Sequence, residues 1–311
     1  MRIGLGLAVS GERPTLAALV REAQRAERAG FHSVWVSNIF GFDALTVLAL
    51  AGRETEHVEL GTFVVPTYPR HPVALAQQAL TVQAATGGRL ALGIGLSHRV
   101  VIEGRFGLDY SRPLRHMREY LTVLNGLLAQ EPVEFTGELY RVSAQLTIAE
   151  APKPPVLVAA LGPAMLRLAG RLADGTATWM GGLAYLRDVA VPTIRAAAAQ
   201  AGRPAPRVVA GLPVCVTDDA DAARRAAAII FARYGELPSY RATLERGGAR
   251  GPADVAIVGT EAEVEAQLRA LAEAGVTDFS GSPFAVERGG STARTYELLA
   301  ALARQFTGQP A

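Results

Sequence analysis

Residues 59–99 read ELGTFVVPTYPRHPVALAQQALTVQAATGGRLALGIGLSHR and contain the pattern that decides the fold. A β-branched apolar run at 58–66 is followed by a helix-like segment at 71–86 and by a second apolar run at 89–96. Pro72 would stand in the first turn of that helix, where the missing N–H of proline costs nothing. Strand, helix and strand in this order, with few residues between them, are typical of a parallel β/α unit.

The same alternation extends in both directions from this stretch. Apolar runs predict further strands at 2–9, 32–37, 155–160, 176–180, 207–217 and 276–284. Amphipathic segments predict further helices at 15–29, 42–55, 112–130, 165–173, 185–201, 219–235, 260–275 and 291–306. About eight such units without a break in composition favour a closed (β/α)8 TIM barrel with insertions over a doubly wound sheet.

Two segments do not fit the repeat. Residues 134–148 alternate polar and apolar side chains around a Thr-Gly turn, which predicts a hairpin. Residues 237–259 are interpreted as an insertion that covers one end of the barrel. No low-complexity linker divides the chain, so we expect a single domain over 1–311.

The composition is that of an ordered globular protein. Of 311 residues 50% are apolar and 19% charged, and 31 basic against 29 acidic residues give a net charge of +2. The charges form no run that would mark a nucleic-acid arm, and no stretch has the roughly 18 to 20 apolar residues of a membrane helix. One cysteine, Cys215, and histidines without ligand spacing predict no metal site. We expect a cytoplasmic protein that binds neither nucleic acid nor membrane.

A barrel of this kind places its site at the C-terminal ends of its strands. Gly93 and Gly95 at one end would let a flat or phosphorylated ligand approach the backbone, although relief of crowding explains them as well. Gly162 and Pro163 open a helix whose free N–H groups could hold a phosphate, or form an ordinary loop. These ends contain no nucleophile paired to a base, so no catalytic residue is predicted.

Two further side chains stand at strand ends. His98 follows the glycines and is the best functional candidate among the histidines, whereas His71 is interpreted as a helix-start residue with local hydrogen bonds. Trp179 could line a planar cofactor or act as an aromatic packing plug.

Three segments, 26–38, 59–99 and 161–180, resemble the luciferase-like monooxygenase superfamily, in particular its deazaflavin (coenzyme F420)-dependent oxidoreductases. The resemblance spans most of the chain and is most specific between Gly61 and Arg99. It implies a barrel with the cofactor ring over the strand ends, coenzyme F420 as the cofactor, a small-molecule substrate and a homodimer.

The resemblance also implies a set of contacts. A non-proline cis peptide bond at Phe63–Val64 would form a bulge behind the ring. Residues 160–163 match the phosphate-binding region, and residues 95–98 match the loop that flanks the ring and the cofactor tail. The predicted cofactor-binding residues are Asn38, Thr62, Phe63, Val64, Gly95, Leu96, Ser97, His98, Ala160, Leu161, Gly162, Pro163 and Trp179.

Two departures from the family bear on function. Asn38-Ile39 stand where several relatives carry Asp-His, and Leu96 stands where they carry an acidic residue. We therefore favour a reductase that transfers hydride from reduced F420 to an activated double bond or carbonyl, with the protein supplying binding and orientation.

Three alternatives stay open: an FMN-dependent monooxygenase, a cofactor-binding protein without turnover, and a non-redox barrel enzyme. The last is disfavoured because the one lysine, Lys153, lies in a Pro-rich connection and offers no Schiff-base chemistry.

Overall fold

Strands and helices alternate along a computed structural model that describes residues 1–7, 14–286 and 290–306. The strands are β1 (Arg2–Gly6), β2 (Ser33–Val36), β3 (Glu59–Thr62), β4 (Val65–Pro66), β5 (Leu90–Gly95), β6 (Val133–Thr136), β7 (Arg141–Ala144), β8 (Val156–Val158), β9 (Gly175–Trp179), β10 (Arg207–Val216), β11 (Ile257–Gly259) and β12 (Asp278–Pro283). The helices are α1 (Leu16–Ala29), α2 (Ala44–Arg53), α3 (Pro72–Ala85), α4 (Arg99–Phe106), α5 (Pro113–Leu128), α6 (Pro163–Leu172), α7 (Leu183–Tyr185), α8 (Val191–Gln200), α9 (Ala220–Ile230), α10 (Ala232–Glu236), α11 (Pro238–Arg246), α12 (Pro252–Val255), α13 (Glu261–Glu273) and α14 (Gly290–Gln305). A π-helical turn at Leu186–Ala190 joins α7 to α8.

Parallel pairing closes the barrel. The strands follow the order β1-β2-β3-β5-β8-β9-β10-β12, and β12 pairs back with β1. The short β4 extends the pairing of β5, and β11 pairs with the far end of β10. This closure confirms the predicted (β/α)8 barrel. The antiparallel pair β6–β7 confirms the predicted hairpin.

Some predicted elements differ in detail. The strand expected at 58–66 is divided into β3 and β4, and the cis peptide bond Phe63–Val64 lies in the gap. The helix expected at 219–235 is divided at Phe231 into α9 and α10. The sequence pattern did not predict α4, since only Ile102 of that helix is buried and no apolar stripe marks it. Residues 8 and 9 of the first predicted strand lie outside the described residues.

The barrel interior is packed around Trp35. This side chain is 1% exposed and lies among Ala91, Leu157, Ala177 and Val209. Gly61 on the neighbouring strand leaves the space that the indole needs, because a Cβ there would lie 2.1 Å from the ring. The interior is therefore filled by side chains, as in other barrels of this size.

An ion-pair cluster closes the N-terminal end of the barrel. It consists of Arg2, Glu59, Arg207 and Asp278, which stand at the starts of four strands. Arg207 Nη2 lies 2.8 Å from both Glu59 Oε1 and Asp278 Oδ1. Burial would raise the pKa of Asp278, but Arg207 and Arg2 outweigh it and lower that pKa. The carboxylate therefore stays charged although its side chain is 2% exposed.

The helices pack around the outside of the barrel. Most of the large apolar core lies between the strands and these helices, and Cys215 is buried within it. Within the described ranges, no helix has the length and apolar character to cross a membrane.

Candidate functional site

A cavity of about 1040 Å³ opens at the C-terminal ends of the strands, opposite the ion-pair cluster. Gly6, Gly95, Trp179 and Ser280 line it and come from four different barrel strands. Residues of α4, α10 and α11 complete its walls. The insertion predicted at 237–259 contributes Leu237, Ser239 and Tyr240, so it covers part of this end as expected.

The cavity floor is formed by Trp35, Phe63 and Val64. The rings of Trp35 and Phe63 meet edge to face, with centroids 5.8 Å apart. Phe63 also lies against Gly211, where a Cβ would come within 2.7 Å of the phenyl ring. The floor is therefore broad and apolar, a surface suited to a planar ring.

Glycines support the bulge at Phe63–Val64, whose peptide bond is cis as the resemblance implied. A Cβ on Gly95 would lie 2.7 Å from Val64 Cγ2, and one on Gly93 would lie 2.0 Å from the Thr62 carbonyl oxygen. The Thr62 hydroxyl donates to the Gly93 carbonyl at 2.7 Å and accepts from the Gly93 N–H at 2.8 Å. The close approach of β3 and β5 at this point thus requires both glycines.

The N-terminus of α6 faces the same cavity. Gly162 is the N-cap residue and Pro163 follows in the first turn, with no side-chain cap among the described residues. Leu161 and Gly162 line the cavity. The Tyr185 hydroxyl donates a hydrogen bond of 2.7 Å to the Leu161 carbonyl oxygen. Free N–H groups at a helix start can hold an anion.

An aromatic wall runs from Trp179 through Tyr234 to Tyr240. The Trp179 and Tyr234 centroids are 5.7 Å apart, and the Tyr234 and Tyr240 rings are perpendicular at 5.2 Å. Tyr240 then meets the His98 ring at 5.4 Å. Three segments distant in sequence thereby form one continuous side of the cavity.

Arginines supply the charge of the cavity. Arg70, Arg105 and Arg233 line it, and the described lining includes no aspartate, glutamate or lysine. Asp43 neutralises Arg70 from outside the cavity, and Arg105 lies over the Phe40 ring at 4.7 Å. Arg105 and Arg233 have no carboxylate partner in the described part of the chain. The cavity is therefore electropositive, which favours an anionic ligand.

His98 lies where β5 turns into α4. Ser97 before it has a left-handed φ of 59°, which makes the turn tight. His98 Nδ1 lies 3.4 Å from the Ser239 hydroxyl. Burial, and to a lesser extent Arg233, lower the pKa of His98 below its usual 6.5. The imidazole is therefore largely neutral at pH 7.

Most of the predicted contacts line the cavity: Asn38, Phe63, Val64, Gly95, Leu96, Ser97, His98, Leu161, Gly162 and Trp179. The lining does not include Thr62, Ala160 or Pro163. Thr62 and Ala160 are fully buried behind the wall, and the Thr62 hydroxyl is already satisfied by Gly93. His71 caps α3 by accepting from the Val73 N–H, in agreement with its interpretation as a helix-start residue.

Sequence reasoning did not identify Arg70, Arg233, Tyr234 and Tyr240. The two tyrosines belong to α10 and α11, whose position over the barrel mouth is a tertiary property. The one available signal was the density of aromatic residues around 231–240, in a chain with only 6% aromatic residues. Among the described residues, no group of three or more His, Cys, Asp or Glu side chains is placed to hold a metal.

Comparison with known proteins agrees with this architecture. The family model for luciferase-like monooxygenases matches residues 2–278. The F420-dependent hydroxymycolic acid dehydrogenase of Mycobacterium tuberculosis is 31% identical over 303 residues, which cover 90% of this chain and 83% of that protein.

Solved structures share the fold. The coenzyme F420-dependent tetrahydromethanopterin reductase of Methanopyrus kandleri has a TM-score of 0.80 at 22% identity, over 96% of this chain and 97% of the other. A type II Baeyer-Villiger monooxygenase of Pseudomonas putida, in complex with FMN, has a TM-score of 0.77 at 18% identity, over 100% and 99%. The family match over residues 2–278 then shows that this chain belongs to the luciferase-like monooxygenase family, as an oxidoreductase related to its F420-dependent enzymes.

Proposed function

We propose that the chain transfers a hydride between coenzyme F420 and a small organic substrate, acting as a reductase. The observation that carries the proposal is the apolar cavity floor at the strand ends, backed by the Phe63–Val64 bulge and by Gly95. Support from relatives comes from the F420-dependent dehydrogenase described above, which matches most of this chain.

The residues present fit a tricyclic cofactor that carries a phosphate. The ring would lie on Phe63, Val64 and Gly95, since this surface is apolar and Gly95 leaves it flat. The phosphate would be held at Leu161 and Gly162, before α6. An electropositive cavity without carboxylates in its described lining adds no repulsion to a phosphate.

When bound, F420 supplies the hydride chemistry. The chain itself binds and orients the reactants and shields them from water, with the aromatic wall and α11 above the floor. Among the described lining residues no carboxylate stands beside the floor, so the cavity does not provide a carboxylate base for the oxidation of an alcohol. An activated double bond or carbonyl, which accepts hydride readily, suits this cavity better.

The test is a fluorescence titration of the purified protein with F420 and, separately, with FMN. We expect F420 to bind at least about tenfold more tightly than FMN, a difference of about 1.4 kcal/mol. Preference for FMN would instead support the monooxygenase alternative, and binding of neither would overturn the proposal.

Turnover is then measured with reduced F420 and cyclohexenone, an activated double bond next to a carbonyl. Oxidation of the cofactor with formation of cyclohexanone is the expected result. Tight F420 binding without turnover of cyclohexenone or of a panel of simple ketones and quinones would favour a cofactor-binding protein without turnover.

A further inference from the structure

We infer that His98 exchanges the substrate proton that accompanies hydride transfer, and that Ser239 holds its imidazole in position. This inference rests on the proposed function, and it assigns a catalytic role where the sequence predicted none. Its basis is the position of His98 in the cavity wall, its contact with Ser239, and the chemistry of the other lining groups.

The other ionisable groups in the cavity are poorly suited to this task. Arginine does not give up its proton in proteins, so the lining residues Arg70, Arg105 and Arg233 are excluded as donors. Burial raises the pKa of the lining tyrosines Tyr110, Tyr234 and Tyr240. His98 is therefore the one described lining residue whose charge changes near neutral pH.

The Ser239 hydroxyl contacts Nδ1 of the His98 ring, which leaves Nε2 available for the substrate. In the imidazolium both ring nitrogens carry a proton, so Nδ1–H donates to the Ser239 hydroxyl and Nε2–H is left for the substrate. Nε2 has no hydrogen bond within the described ranges. The Tyr240 ring packs against the imidazole and limits its rotation.

The charges around His98 come from two sides. Arg233 of α10 faces it, and Ser239 and Tyr240 of α11 contact it. On its own helix, Arg99 is paired with Glu103. Burial and Arg233 both disfavour the imidazolium, so the protonated ring gives up its proton readily.

For an enone, one hydride and one proton add across the C=C bond. The C=C π bond breaks, and the hydride with its two electrons forms a C–H bond at the β-carbon while reduced F420 is oxidised. The proton on Nε2 of the His98 imidazolium forms the C–H bond at the α-carbon. The oxidised cofactor releases its ring N–H proton to solvent, and the neutral imidazole takes one proton back from solvent. For a ketone, the same proton goes to the carbonyl oxygen. In the reverse direction, neutral Nε2 accepts the proton.

The first test needs no turnover. Diethyl pyrocarbonate acylates neutral imidazoles, and peptide mass spectrometry gives the rate at each histidine as a function of pH. His57, whose side chain is 86% exposed, is the reactive reference, and His116, 4% exposed, is the protected one. We expect His98 to react like an accessible imidazole, with half-maximal rate below pH 6.5, and to be protected by F420. A His98 as unreactive as His116 would overturn the inference.

The second test compares His98→Gln with the matched surface variant His57→Gln, using cyclohexenone and reduced F420. We expect His98→Gln to lower kcat on the order of 10²-fold with little change in F420 affinity. In the wild type and in His57→Gln, kcat should fall as pH rises through the pKa of His98, because the imidazolium is the donor. That decline should vanish in His98→Gln, and its persistence with a near-normal kcat would contradict the role.

The two proposals fail in distinguishable ways. If F420 does not bind the wild-type protein, the proposed function fails, whereas the acylation rates of His98 are measured without cofactor. If F420 binds and cyclohexenone is reduced but His98→Gln is unaffected, only the role of His98 fails. His98→Asn, checked by urea unfolding, replaces His98→Gln if the latter does not fold.

Discussion

At the N-terminal end of the barrel, four charged side chains from four strands pair with one another, whereas Arg105 and Arg233 in the cavity at the C-terminal end have no carboxylate partner among the described residues. The first arrangement leaves no charge for a ligand to satisfy. The second leaves positive charge, free helix N–H groups and an apolar floor for a ligand to use. The difference indicates that stability is concentrated at one end and binding at the other, as is general for this fold.

Asp278→Asn is expected to have the largest effect at the N-terminal end. The substitution removes one partner from a buried ion-pair cluster and leaves Arg2 and Arg207 with less compensation. We expect the free energy of unfolding to fall by about 3–5 kcal/mol. The affinity for F420 should not change, since the cavity is at the other end. Urea unfolding and the F420 titration measure the two effects.

The control for Asp278→Asn is Asp188→Asn, in an exposed pair with Arg187. This change should have little effect on unfolding, because solvent already screens the pair. A loss of F420 affinity in Asp278→Asn comparable to its loss of stability would contradict the separation of the two ends.

The dependence of stability on low pH is a second property in which the two ends should differ. His116 lies behind the cavity wall, where its Nε2 is 2.9 Å from the Thr67 hydroxyl and its ring stacks on Tyr68. Burial lowers the pKa of His116 to about 4. Because the unfolded chain takes up this proton near pH 6.5, stability should decline as pH falls from about 6.5 to 4, by up to about 3 kcal/mol.

His116→Gln should abolish most of that decline between pH 7 and 4, measured by urea unfolding. Asp278 should contribute little to this decline, since its pKa is lowered below its ordinary 3.8 and it takes up its proton only at lower pH. An equally steep decline in His116→Gln would show that other groups, such as His32 with its lowered pKa, dominate.

Gly95→Ala tests the cavity floor directly. The added Cβ would meet Val64 Cγ2 at 2.7 Å and Ala159 Cβ at 3.1 Å, so the Val64 side chain in the cavity floor must shift. We expect F420 affinity to fall at least about tenfold, or about 1.4 kcal/mol. Gly104→Ala in α4 is the matched control, because its Cβ meets nothing within 4 Å. Unchanged F420 affinity in Gly95→Ala would show that the cavity floor is not part of the F420 site.

The barrel strands and the cavity wall also differ in how well the sequence could predict them. Barrel strands are buried on both faces and read as apolar runs, so β1, β2, β5 and β10 were recognisable by pattern. The cavity wall was only partly recognisable. His98 and Trp179 stand at strand ends, where the fold itself predicts the site.

Other parts of the wall have no local signature. Tyr234 and Tyr240 reach the cavity because α10 and α11 fold across the barrel mouth, a contact that no residue periodicity encodes. Thr62 and Ala160 show the opposite case, since they stand at strand ends but are fully buried and do not line the cavity. At a strand end, alternation places neighbouring side chains on opposite faces, and a one-residue ambiguity changes the assignment.

The finest test of the C-terminal end is Ser239→Ala, which removes the hydroxyl beside His98 Nδ1 and leaves His98 in place. Ser239 is exposed and the contact is 3.4 Å long, so water can replace part of it and the effect should be small. We expect kcat for cyclohexenone reduction to fall by about three- to tenfold, equivalent to about 1 kcal/mol, with unchanged F420 affinity.

Ser239→Thr, which keeps the hydroxyl, should restore most of the rate, and Ser143→Ala in the distant hairpin should have no effect. A merely structural role for Ser239 would lower stability and F420 affinity together and leave the pH dependence of kcat in place. A positioning role predicts that only the rate and its pH dependence change, because the hydroxyl then acts through the tautomer of His98. Loss of rate in Ser239→Thr equal to that in Ser239→Ala would contradict the hydrogen bond as the cause.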